Sequence, residues 1–186
     1  MLRKEDGNVY AVLNDLDLAV DANVQSQSSK HRTGTKPFMA IDLLSGEPTA
    51  HLYRHDLESL FYVLVWITSR FNNGEEIQNP PLQEWTEGKD KALMHLKDSF
   101  LLKPSLIPPT KRFASFGLHV NRLHMMFRQG HVARSNARDN ALAFAGFNMG
   151  SPETFDDVTL GGWVTFDTFQ SILDTDLPIC TTSAPA

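Results

Sequence analysis

Residues 55–69, HDLESLFYVLVWITS, carry the apolar stretch that decides how this chain folds. After the first turn, apolar side chains fall on nearly every face of a helix, which is typical of a helix in the middle of a core. The stretch is far too short to span a bilayer. It therefore predicts the buried central helix of a globular domain, ended by the Asn-Asn-Gly cluster at residues 72–74.

The segments on either side of this helix predict a mainly α domain. On the N-terminal side, Asp6-Gly7 is a turn pair that predicts a short β-hairpin between residues 1–5 and the apolar strand that follows. On the C-terminal side three more helical stretches are predicted, and residues 130–152 stay ambiguous apart from helical character at 140–147. These three stretches run from Asn79-Pro80-Pro81 to Phe100, over 113–128, and over 163–173.

Composition and charge limit the class of protein. The 186 residues are 41% hydrophobic and 21% charged, which predicts one domain over residues 1–175 with a flexible tail at 176–186. The net charge of −5 gives no basic stripe, so no nucleic-acid partner is expected. The single cysteine, Cys180, excludes a disulfide within the chain. Without a recognisable leader or spanning segment, we expect an intracellular protein, cytoplasmic or nuclear, with no membrane partner.

Three motifs occur in a fixed order along the first third of the chain. NDLDLA at residues 14–19 follows the apolar strand, GTKPFMAID at 34–42 follows a polar loop, and RHDLESL at 54–60 opens the central helix. This order and spelling resembles the fungal-type protein kinase family. The resemblance implies the C-terminal lobe of a protein-kinase-like fold, in which a metal-binding triplet, an activation loop, an Ala-Pro-Glu-like segment and a central helix follow one another.

The resemblance also implies roles for individual residues. Asp15 would hold Mg²⁺ against the phosphates of ATP, and Thr35 would help to seat a serine or threonine of a protein substrate. Ser28, Ser29 and Thr33 lie in the implied activation loop, where phosphorylation could order the loop. From the residues alone, Asp15 is better interpreted as the cap of a turn, and the loop is equally well interpreted as a solvated segment without regulation.

Three further residues are expected to support the site from below. Asp42 stands where Ala-Pro-Glu has its glutamate, and a buried carboxylate there needs a cation. Asp56 suits the helix dipole, and the resemblance adds that it would accept hydrogen bonds from the backbone of the catalytic loop. Arg54 belongs to the same motif. Four arginines remain open as partners of Asp42: Arg122, Arg128, Arg134 and Arg138.

Several parts of a working kinase are not found in the sequence. The Gly-rich loop, the strand lysine and the catalytic loop precede the metal-binding triplet in kinases, but only fourteen residues stand before Asp15. The expectation is therefore a truncated, fungal-type serine/threonine protein kinase that is inactive alone and does not bind ATP and Mg²⁺ by itself. The alternative is a non-catalytic pseudokinase-like module that binds protein partners through residues 81–100.

Overall fold

The computed structural model describes residues 2–5, 8–11, 35–45, 50–103, 107–147 and 153–175. The chain divides into two compact units, residues 1–31 and 32–186. In the first unit, β1 (Leu2–Glu5) pairs antiparallel with β2 (Asn8–Ala11). Glu5 is the register partner of Asn8, so the predicted N-terminal pairing of two strands is confirmed.

The described part of the second unit is mainly helical, as predicted. Its 3₁₀ turns and two-stranded hairpin are short, and they connect or flank the α-helices. The α-helices are α1 (Ile41–Leu44), α2 (Tyr53–Arg70), α3 (Asp90–Leu102), α4 (Gly117–Gly146) and α5 (Phe166–Leu173). The hairpin strands are β3 (Phe71–Asn72) and β4 (Glu75–Glu76), and the 3₁₀ turns are Lys36–Phe38, Gln83–Trp85 and Lys111–Phe116.

Helix α2 is the central helix that the apolar stretch predicted. Phe61 is fully buried, and its ring stacks on Phe127 of α4 with the ring centroids 5.2 Å apart. One stripe of α2 departs from the prediction, because Leu60 and Ile67 keep 43% and 41% of their surface exposed. The helix ends at Arg70, where Asn73 and Gly74 take positive φ values and turn the chain into β4, so the predicted stop is confirmed.

Helix α4 corrects the prediction for residues 113–152. A helix was expected over 113–128 and an ambiguous segment after it, whereas one helix of 30 residues runs from Gly117 to Gly146. Gly130 lies inside this helix, and a Cβ there would come within 2.8 Å of Leu160 Cβ. The glycine is therefore required for close packing, and tertiary contact offsets its low helix propensity.

The remaining helices begin later than their sequence signals suggested. Helix α3 starts at Asp90, because residues after Pro81 form a left-handed turn at Leu82 and then a 3₁₀ turn. Helix α5 starts at Phe166, where the side chain of Thr165 accepts a hydrogen bond from the backbone N–H of Thr168. None of the helices in the described ranges has the length and apolar character needed to cross a membrane.

Candidate functional site

The candidate site is the N-terminal end of α2, where buried charged side chains from several helices meet. Arg54 and His55 lie in the first turn of the helix and are buried. His55 Nδ1 accepts a hydrogen bond from the backbone N–H of Leu52 at 3.1 Å. The proton of this imidazole must therefore sit on Nε2, which lies 3.5 Å from a carboxylate oxygen of Asp42.

Asp42 is the centre of this group. Arg134 of α4 forms a bidentate pair with it, from Nη1 to Oδ2 at 2.6 Å and from Nη2 to Oδ1 at 2.9 Å. Arg54 Nη2 donates to the same Oδ2 at 2.7 Å, and Arg54 Nε donates to the backbone carbonyl of Asp157 at 2.6 Å. Asp42 therefore joins α1 to α2 and α4, and Arg54 joins this group to the loop before α5.

The structure thus selects one of the four arginines that the sequence left open. Arg134 is the partner of Asp42, whereas Arg122 donates to the side chain of Thr175. Arg54 is a second partner that the list of candidates did not include. Burial acts to raise the pKa of Asp42, but the imidazole of His55, the hydrogen bonds and positive charge of Arg134 and the hydrogen bond from Arg54 outweigh it. Together they hold this pKa well below its usual range.

Glu58 is a second buried carboxylate. It lies on α2, one helical turn after Arg54, and it was not among the site residues predicted from the sequence. Its Oε1 accepts hydrogen bonds from the backbone N–H of Ile41 at 3.0 Å and from the Tyr62 hydroxyl at 2.8 Å. Its Oε2 lies 3.7 Å from His131 Nε2. Burial alone would raise the pKa of Glu58, but His131 and these two donors together lower it to about 2.

His131 connects the two carboxylates. Its Nδ1 lies 3.2 Å from Arg134 Nη2, and because a guanidinium can only donate, Nδ1 must accept. The proton then sits on Nε2, facing Glu58. Hydrogen bonds therefore link His131 through Arg134 to Asp42, inside a unit whose other buried residues are mostly apolar. Glu58 lies within ion-pair distance of His131, but no hydrogen bond joins Oε2 to Nε2.

Asp56 lies in the same first turn of α2 but points away from this network. Its side chain is 72% exposed, and Oδ1 pairs with His51 Nε2 at 2.9 Å. The hydrogen bond that His51 donates to Asp56 raises the pKa of His51. Burial of the ring opposes this increase, and the charge of Asp56 adds to it. The structure therefore brings Asp42 and Arg54 together and leaves Asp56 in solvent.

The other predicted site residues lie near the surface or outside the described ranges. Thr35 is exposed and precedes the 3₁₀ turn at Lys36–Phe38, where its carbonyl accepts from the N–H of Phe38. Asp15, Ser28, Ser29 and Thr33 lie outside the described residues, so their predicted roles stay predictions. Within the described ranges, no group of three or more His, Cys, Asp or Glu side chains could hold a metal ion.

Comparison with known families tests the resemblance directly. Residues 1–68 match the family model of the fungal protein kinase. The matched segment contains all three motifs from which the resemblance was inferred and ends inside α2, so the resemblance to the fungal protein kinase family is confirmed over these residues. Helices α3, α4 and α5 follow the matched segment. No curated protein and no solved structure was found to match the chain.

Proposed function

We propose that this chain is the C-terminal lobe of a fungal-type protein-kinase-like domain, and that the complete domain is an ATP-dependent serine/threonine protein kinase. One observation carries the proposal. The family match runs through the three motifs in their order, and the helix that the third motif opens lies in the core beside Asp42. A protein kinase lobe needs this arrangement, because its central helix supports the segment that receives the substrate.

In this proposal Asp42 fixes the end of the activation segment. The bidentate pair with Arg134 and the bond from Arg54 hold α1 against α2 and α4. Such charge-assisted pairs are short and directional, so they define position as well as contributing energy. The residues just before α1, including Thr35, would then present a serine or threonine of a protein substrate.

Asp15 is the proposed Mg²⁺ ligand, and it supplies a carboxylate oxygen of the kind that Mg²⁺ prefers. ATP and Mg²⁺ are the cofactors of the complete domain in this proposal. In the 186 residues no Gly-rich loop, no strand lysine following such a loop and no His-Arg-Asp-like base is recognisable. Phosphoryl transfer depends on positioning and charge stabilisation by those parts, so the chain alone is expected to be inactive. Phosphorylation of Ser28, Ser29 or Thr33 would order the loop that carries them by pairing with a cation.

A second candidate is a non-catalytic module that binds a protein partner. Two cavities of about 260 Å³ and about 330 Å³ both include Thr68 in their walls and lie beside α2 and the Lys111–Phe116 turn. Exposed Ile67 borders the larger cavity. The surface around these two cavities is a better candidate for a partner-binding site than residues 81–100. The large apolar side chains of residues 81–100 are mostly buried and could not contact a partner. The buried ones are Leu82, Trp85, Leu93 and Phe100.

A complementation assay separates the two candidates. The chain is mixed with the N-terminal lobe and catalytic loop of a fungal-type protein kinase, and transfer from Mg·ATP to serine, threonine and tyrosine peptides is measured. Transfer to serine or threonine that disappears in D15N supports the kinase lobe. Transfer that D15N leaves unchanged contradicts the role of Asp15. No transfer in any mixture, together with a normal helical CD spectrum of the chain, favours the interaction module.

A thermal-shift titration of the chain alone tests its expected inactivity. Mg·ATP should leave the melting temperature unchanged, because ligand binding raises it only when the folded state has a site. A shift of several degrees that D15N abolishes would contradict the expectation that the isolated chain does not bind nucleotide.

A further inference from the structure

Lys97 is a buried lysine that the proposed kinase chemistry does not use. It lies in α3 with 0% of its surface exposed, and its Nζ donates to the backbone carbonyl of Met39 at 2.5 Å. The same Nζ lies 3.9 Å from the centroid of the Tyr62 ring and 5.2 Å from that of Trp85. Lysine is almost never fully buried unless it is paired, so this position calls for a physical explanation.

Glu58 holds the same piece of backbone two residues further along. Its Oε1 accepts from the N–H of Ile41, while Lys97 donates to the carbonyl of Met39. Ala40, which lies between them, is fully buried. The segment that connects the Lys36–Phe38 turn to α1 is therefore attached to α2 by the carboxylate of Glu58 and to α3 by Lys97. Both contacts are made to the backbone of this segment and not to its side chains.

We propose that Lys97 and Glu58 are positioning residues that hold residues 36–44 on the core, and that protonation of Lys97 loosens this segment. The consequence for substrate placement rests on the proposed function, since it assumes that Thr35 and Asp42 belong to a substrate-binding segment. The attachment itself is independent of that assumption.

Protonation should favour opening of residues 36–44, because the ammonium charge of Lys97 is more stable in water than in its buried position. The hydrogen bond of Lys97 goes to a neutral carbonyl, so the ring faces and Glu58 only partly offset the cost of burying an ammonium group. Burial lowers the pKa of Lys97 to about 7, although Glu58 acts to raise it. If the segment opens, Nζ regains water and its pKa returns towards 10.5. Opening then takes up a proton, so it is easiest below about pH 7 and becomes progressively harder between pH 7 and 10.5.

Other charged and titratable groups surround Lys97. Glu58 has a pKa of about 2 and stays ionised, while burial, followed by the charge of Glu58, raises the pKa of Tyr62 well above 10. Asp42 of α1 stays ionised for the reasons given above. Asp98, next to Lys97 on α3, lies close enough to act on Tyr62. From α4, His131 faces Glu58 and therefore needs a control variant.

Hydrogen exchange of the full chain, followed by mass spectrometry between pH 6 and 9, tests the proposal. Rates are divided by the intrinsic exchange rate at each pH, and residues 36–44 are compared with α4 as an internal reference. In the wild-type chain, protection of residues 36–44 should rise at least about tenfold between pH 7 and 9 relative to α4. An unchanged ratio would overturn the proposal.

Variants identify the titrating group. K97M should abolish the pH-dependence of the ratio, whereas H131Q should keep it. E58Q should move the rise to lower pH, because it keeps an acceptor for Ile41 but removes the negative charge that favours the ammonium form. If K97M also loses protection in α4, this variant is not properly folded. The pH-dependence measured for the wild type and for E58Q then tests the proposal. Persistence of the rise in a folded K97M, its loss in H131Q, or no displacement in E58Q would each overturn the proposal.

None of these measurements uses nucleotide or a peptide substrate. A failed complementation assay therefore argues against the kinase function only, and an absent pH-dependence argues against the positioning role only.

Discussion

Asp42 and Asp56 are two carboxylates at the same end of the central helix, and their surroundings differ completely. The side chain of Asp42 is 15% exposed and contacts two guanidinium groups, whereas that of Asp56 is 72% exposed and contacts one histidine. Sequence reasoning gave both the same task of supporting the site. We infer from this comparison that removing the buried carboxylate should affect the fold more than removing the exposed one, because water competes for an exposed ion pair far more than for a buried one.

Removing the charge of Asp42 should produce the largest effect on the fold. D42N leaves Arg54 and Arg134 buried beside a neutral amide, and an uncompensated buried charge costs about 3–5 kcal/mol. We expect D42N to lower the free energy of unfolding by that amount, measured by urea denaturation followed by far-UV CD. A loss below about 1 kcal/mol would show that the network does not hold these helices together.

The second largest effect on the free energy of unfolding is expected from Glu58, and lowering the pH should reveal it. Its pKa is about 2 in the folded chain and 4.5 ordinarily, so its stabilisation is present above pH 4.5 and is lost as the pH falls towards 2. The stability difference between wild type and E58Q should therefore shrink by roughly 2–3 kcal/mol over this window. Urea denaturation at intervals between pH 5 and 2 measures this change, and D56N serves as a control that should stay within about 0.5 kcal/mol of the wild type.

The parts of the fold that depend on local pattern could be predicted from the sequence. The two-residue turn after Glu5 and the apolar run of α2 are local signals, and the hairpin and the central helix both formed as expected. The end of α2 followed from Asn73-Gly74 for the same reason. Each signal needs only neighbouring residues, so a single sequence is sufficient.

The buried network could not be predicted in the same way. Arg134 lies 92 residues from Asp42 and reaches it only because α4 continues past Gly130, into a segment that the sequence left ambiguous. Glu58 lies in an apolar run, where a lone carboxylate is ordinarily assigned to the exposed face. Tyr62 lies one turn further along the same helix, but only the tertiary structure brings Ile41 and His131 to Glu58.

Arg70, at the C-terminal end of α2, should have an effect of intermediate size on the free energy of unfolding. Arg70 donates from Nε and Nη2 to Glu76, from Nη1 to the carbonyl of Pro81 and from Nη2 to Gln83, and it stacks on Trp66. Lysine cannot reproduce this fork, so R70K should cost about 1–2 kcal/mol in urea denaturation. E76Q, which removes only the half-exposed partner, should cost less than R70K, and the reverse order would contradict this interpretation.

The smallest effect is expected at Asp56. D56N should change the free energy of unfolding by less than about 0.5 kcal/mol, because the pair with His51 is solvated. The pKa of His51, followed by NMR, should fall, since the hydrogen bond that His51 donates to Asp56 raises this pKa in the wild type. A raised histidine pKa stabilises the fold below its ordinary value of 6.5 and loses that contribution as the pH rises, so any difference between D56N and wild type should be confined to acid pH.

The same variant sharpens the proposed role of Asp56. In the proposal this carboxylate accepts hydrogen bonds from a catalytic loop that these 186 residues do not contain. D56N should therefore reduce phosphoryl transfer in the complementation assay while leaving the isolated chain almost as stable as the wild type. A loss of more than about 2 kcal/mol in the isolated chain would mean that Asp56 is a structural residue of this unit, like Asp42, and the difference between the two carboxylates would disappear.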